Sequence, residues 1–165
     1  NPISQIRNKP RSQKHHLLWW YDKIMENWNY NTAKVGDRIP HLTLEPISRT
    51  TLALYAGASG DHNPIHIDLD FAKKSGLPDV IAHGMLVMAY LGRALTNIIQ
   101  QAAIQEFGVQ FSSMTQIGDT LTCSGVVIEQ INNDELKSIT LELVVSDSKG
   151  DKKLLGHAII KLKNS

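Results

Sequence analysis

From His83 to about Gln101, apolar side chains fall on nearly every side of a helix: Met85, Leu86, Val87, Met88, Ala89, Leu91, Ala94, Leu95, Ile98 and Ile99. A helix that is apolar all round has to be surrounded by the rest of the chain. After Ala103 the pattern changes to a period of two. Strands are predicted near 106–114, 119–131, 136–147 and 153–163. The third is plainest, with Ile139, Leu141, Leu143 and Val145 on one face and Thr140 and Glu142 on the other. The turns at Asn132-Asn133-Asp134 and Ser148-Lys149-Gly150-Asp151 are short, so consecutive strands run antiparallel. One buried helix followed by an antiparallel meander packs most economically with the sheet wrapped around the helix.

The expected fold class is therefore α+β, a hot-dog fold with an antiparallel sheet around a long central helix. The upstream segments are short. Val35-Gly36-Asp37-Arg38 reads as a turn and 39–44 as a strand. Ser48 caps a helix over 51–56 that Gly57 and Gly60 end, and Asp68 or Asp70 caps another over 71–74, closed by Gly76 and Pro78. Residues 34–165 are expected to form one domain. Before it, residues 1–14 carry Arg7, Lys9, Arg11 and Lys14 and read as a loosely draped polar arm. Leu17, Tyr21, Ile24 and Trp28 then fall at helical spacing, so 1–33 is an arm followed by an aromatic-rich helix. That helix packs on the domain surface, walls an acyl chain or contacts another subunit.

Charge and cysteine content narrow the function classes. The formal net charge of +1 supplies no global field for nucleic acid. A single cysteine, Cys123, excludes an internal disulfide and a cysteine-rich zinc site. It lies in an alternating stretch, as a small core residue does. The run Val80–Ile99 is broken by His83, Arg93 and Asn97, so no membrane span is expected. No charged start, apolar run and cleavage site are read, and a cytoplasmic setting is expected.

Two segments carry chemistry. In Ser59-Gly60-Asp61-His62-Asn63-Pro64-Ile65-His66, Pro64 disfavours helix at Asn63 and lacks a donor, so the chain bends between Asp61 and His66. A tight bend points a carboxylate and an imidazole into one space, a workable acid–base pair near neutral pH. Taken alone, the same residues equally suit a capped turn with His66 at the surface. In Ala82-His83-Gly84-Met85, Gly84 falls at the start of the apolar helix. Its N–H there lacks an intrahelical partner, and glycine lets a ligand carbonyl come close. A packing glycine is the competing reading.

These residues resemble a known family. Ser59-Gly60-Asp61-x-Asn63-Pro64-Ile65-His66 followed by Ile81-Ala82-His83-Gly84-Met85-Leu86 is similar to the MaoC-like R-specific enoyl-CoA hydratases and hydroxyacyl-thioester dehydratases, including the mycobacterial B-type subunit of hydroxyacyl-ACP dehydratase. The likeness extends over about 34–163, through Lys34-Val35-Gly36-Asp37, Tyr55-Ala56-Gly57, Phe111 and Gly118-Asp119. It departs at Gln110, where many relatives carry a basic residue.

The resemblance implies a hot-dog fold paired as a homodimer or heterodimer, no metal and no cofactor. It implies reversible hydration of a trans-2-enoyl thioester of CoA or acyl carrier protein to the (R)-3-hydroxyacyl thioester. Asp61 and His66 are then the catalytic pair, with His66 expected at the α-carbon and Asp61 at the oxygen. Asn63 holds the water or fixes the loop, the Gly84 N–H binds the thioester oxygen, and Ser59 orients the loop. Three rivals remain. A non-catalytic acyl-thioester-binding subunit would leave the enoyl absorbance of crotonyl-CoA unchanged. A hot-dog thioesterase would release free thiol. A metal site drawn from His62, His66, Asp61 and His83 is opposed by Pro64, which breaks the helical spacing of the first two histidines.

Overall fold

A computed structural model describes residues 28–133 and 137–163. Its elements in chain order are β1 (Leu42–Thr43), α1 (Arg49–Ser59), a 3-10 turn (Pro64–His66), α2 (Leu69–Lys74), α3 (Gly84–Thr96), β2 (Ile104–Phe111), β3 (Leu121–Asn132), β4 (Lys137–Asp147) and β5 (Lys152–Lys161). The strands form a single sheet in the order β1-β3-β4-β5-β2, with every pair antiparallel. Helix α3 lies against β3, β4 and β5. This is the expected hot-dog arrangement.

Alternation places the core. Ile139, Leu141, Leu143 and Val145 of β4, Leu121, Cys123 and Val127 of β3, and Leu154, Ala158 and Ile160 of β5 are all buried. They face Leu86, Val87, Leu91, Ala94 and Leu95 of α3. Fully burying one such side chain contributes about 1.5–3 kcal/mol, so this sheet–helix contact is the main stabilising layer. Of the segment expected as an arm and helix, residues 1–27 lie outside the described residues. Tyr30 and Ala33 lie within them and are buried in the same core.

Three expectations need correction. Helix α3 stops at Thr96, and Ile98 and Ile99 pack in the turn beyond it. Nor is α3 covered on all sides: Gly84, Met85, Ala89, Arg93 and Thr96 form an exposed stripe. Among the described residues, five strands curve around only part of the helix and leave this stripe open. The upstream strand is also shorter than 39–44, reduced to Leu42–Thr43 with an isolated bridge from Arg38 to Val126.

Candidate active site

The loop after α1 is built by side-chain oxygens that each take the amide two residues on. Ser59 Oγ accepts from Asp61 N at 3.2 Å, Asp61 Oδ1 from Asn63 N at 3.2 Å, and Asn63 Oδ1 from Ile65 N at 3.1 Å. Short polar side chains favour such turns because they replace helix or sheet bonds locally. Gly60 starts the run by ending α1 at φ +73°, a conformation that side-chain-bearing residues avoid. Pro64 opens the 3-10 turn, and His66 N closes it onto Asn63 O at 3.1 Å.

Asp61 and His66 come together as a result. One carboxylate oxygen of Asp61 and one ring nitrogen each of His66 and His83 lie within 4.8 Å of one another. His66 Nδ1 sits 2.8 Å from Ile81 O. A carbonyl only accepts, so Nδ1 carries the proton, which in the neutral ring leaves Nε2 with a lone pair. Asp61 is exposed and His66 half-buried.

His83 joins the pair, a neighbourhood that its place beside Gly84 in the sequence does not reveal. It is 1% exposed, and its ring stacks on that of His66 with centroids 3.9 Å apart. Tyr55 closes its other side at 4.9 Å. His83 Nε2 donates to Asp61 O at 3.2 Å, while Nδ1 is buried without a partner among the described residues. Burial is the main force pushing its pKa below 6.5; the bond to Asp61 O opposes this, and the charge of His66 adds to it.

Gly84 is the first residue of α3, and its N–H makes no hydrogen bond to any described residue. It shares a cavity of about 300 Å³ with His66, Ile81, Val87, Phe111 and Ser112–Thr115. A Cβ added at Gly84 would come within 3.1 Å of Phe111 Cε1. The glycine therefore keeps the ring close and the amide accessible.

Other candidates fall elsewhere. His62 is exposed and outside the cluster, and His157 pairs with Glu106 at 2.7 Å on the outer face of the sheet. Cys123 is buried in β3, and burial pushes its thiol up to about 12, far from a nucleophile's range. Asp61, His66 and His83 are donors that a divalent cation accepts. Stacked imidazoles, however, direct their in-plane lone pairs side by side rather than at one centre, and one nitrogen of each ring already faces a carbonyl. The geometry fits proton transfer better than coordination.

Residues 31–149 match the family model described as MaoC like domain. The chain is 30% identical over 113 residues to the (R)-specific enoyl-CoA hydratase of Rhodospirillum rubrum, covering 67% of this chain and 71% of that protein. It is 30% identical over 92 residues to the peroxisomal enoyl-CoA hydratase 2 of Arabidopsis thaliana, covering 54% of this chain and 30% of that longer one. Among solved structures, the R-hydratase PhaJ1 of Pseudomonas aeruginosa superposes with a TM-score of 0.70 at 25% identity, over 82% of this chain and 86% of its own. With the family model spanning most of its length, this chain belongs to the MaoC-like domain family.

Proposed function

We propose that Asp61 and His66 are the acid–base pair with which this chain reversibly hydrates trans-2-enoyl thioesters to (R)-3-hydroxyacyl thioesters. The observation that carries this is one Asp61 oxygen and one His66 nitrogen within 4.8 Å beside the Gly84 amide's cavity. A single water can span such a gap with two hydrogen bonds of roughly 2.8 Å each. Hydration and dehydration are the chemistry named for its relatives, and the hydro-lyase reading follows the family.

In the dehydration direction the thioester oxygen rests on the Gly84 N–H, which stabilises enolate-like charge. His66 Nε2 takes the α-proton, the C–O bond breaks, and Asp61 gives its proton to the departing hydroxyl. The water formed leaves, and His66 returns a proton to Asp61. Hydration runs the same steps backwards. Ser59 and Asn63 hold the loop through their backbone bonds. No cofactor enters these steps.

The carrier is CoA or acyl carrier protein. We place the protein in the cytoplasm as a dimer, a homodimer rather than a heterodimer on the present residues. Among the described residues strand β2 pairs only with β5 and leaves a long edge, and Met85, Phe111 and Met114 are exposed near the cavity. No helix among the described residues is long and apolar enough to cross a membrane.

The test is the purified chain with crotonyl-CoA, read by enoyl absorbance and by a thiol reagent in parallel. Loss of absorbance without thiol release is expected. Thiol release would favour the thioesterase reading, and neither signal the binding-subunit reading. Light scattering during chromatography should give twice the chain mass; a monomer mass would remove the homodimer.

A further inference from the structure

The cavity that Gly84 lines is also lined by Lys153, which is only 5% exposed. Its ammonium faces three carboxylates: Asp151 at 2.8 Å, Asp147 at 3.2 Å and Asp119 at 3.4 Å. It also donates to Met114 O at 3.1 Å. Its N–H donors reach Asp151 and Met114 O, with the Asp147 and Asp119 carboxylates beside them. A buried ionic cluster is weak evidence of net stabilisation, because desolvation offsets much of the attraction. What the cluster holds in place is more informative.

It holds residues 112–116. Through side chains, Lys153 Nζ grips Met114 O and Ser113 Oγ donates to Asp151 Oδ2 at 2.8 Å, while the backbone carbonyl of Lys153 accepts from Ser112 N and Ser113 N at 3.0 and 3.4 Å whatever its side chain. Gln116 N donates to Asp119 Oδ2 at 2.8 Å. The same segment joins the site: Ala82 N donates to Thr115 O at 2.9 Å, and Ile81 bridges Gln116. Ile81 O is the acceptor that faces His66 Nδ1.

We infer that Lys153, Asp119, Asp147 and Asp151 form a positioning unit for His66: they fix 113–116, which fixes the Ile81 carbonyl, which selects the His66 tautomer with a free Nε2. None of these four side chains belongs to the Asp61–His66–His83 cluster. It rests on the proposed role of His66, but its effect on the ring is readable without turnover. The linkage also accounts for two remote residues. Asp119 lies in the Gly118-Asp119 turn, and Lys153 lies in β5, yet they meet at 3.4 Å behind the cavity that Lys153 lines.

The experiment uses the full chain with 15N-labelled histidine. In the wild type, His66 shows one tautomer, with Nδ1 protonated and Nε2 free. In Lys153→Met, His66 becomes a tautomer mixture, and kcat for crotonyl-CoA falls by roughly tenfold to 10²-fold, the scale of a small misplacement, with KM changed far less. Should Lys153→Met fail to fold, Asp119→Asn loosens the same grip while keeping an acceptor near Gln116 N. It is expected to move the tautomer ratio and kcat in the same direction. A folded variant that keeps the wild-type tautomer and rate overturns the inference. A shifted tautomer in a chain without hydratase activity would sink the acid–base reading and leave the positioning unit standing.

Discussion

The imidazole of His66 lies over that of His83, with centroids 3.9 Å and planes 27° apart. The lower ring also donates to the Asp61 carbonyl, and its residue directly precedes Gly84, so one buried residue adjoins each part of the proposed machinery. His83→Leu keeps bulk but loses the donor. It is expected to lower turnover by about tenfold to 10²-fold, measured on crotonyl-CoA, with an unchanged circular dichroism spectrum. Wild-type turnover would show that the ring only fills space.

The same residue gives a pH dependence of stability. Its folded pKa lies below 6.5, so the unfolded chain binds the proton more readily. Where the unfolded state holds more protons, stability rises with pH. The contribution is therefore complete above about pH 6.5 and is lost as pH falls towards the depressed folded value. Melting temperatures across this window should fall with acidity in the wild type and less steeply in His83→Leu. Parallel slopes would contradict the assignment.

A methyl group at Gly84 would meet the Phe111 ring, a movable neighbour, rather than backbone. Gly84→Ala is thus expected to fold with an unchanged or slightly raised melting temperature. Turnover should drop by roughly 10²-fold or more, as when an oxyanion donor is lost, because the thioester oxygen can no longer approach the amide. An unaffected kcat/KM would place the carbonyl elsewhere.

Asn63 separates loop-building from chemistry. Asn63→Ala removes the acceptor for Ile65 N and should cost about 1 kcal/mol, read from urea denaturation. Asn63→Asp keeps an acceptor there and should restore most of that stability. If turnover recovers with it, Asn63 acts through the loop; if only stability recovers, its amide meets the water.

The fold was legible because periodicity is written into local stretches. The alternation of Ile139, Leu141, Leu143 and Val145 became the most buried strand, and Ser48 and Asp68 cap the helices over which they were read. The loop chemistry was legible for the same reason: Ser59, Asp61 and Asn63 act on amides two residues away. What stayed hidden was long-range. No local pattern says that His83 meets Asp61, or that Lys153 meets Asp119 across the sheet edge. The exposed stripe of α3 was misread because helical periodicity measures apolar character, not how far five strands can wrap.

The central claim is that one carboxylate and one imidazole share the proton transfers. Steady-state hydration of crotonyl-CoA by Asp61→Asn and His66→Ala tests it most directly, with folding checked by circular dichroism. Each variant is predicted to lose about 10²–10⁴-fold in kcat, and the double variant little more than the worse single one, because the two act as a unit. Wild-type rates in both folded single variants would contradict the account.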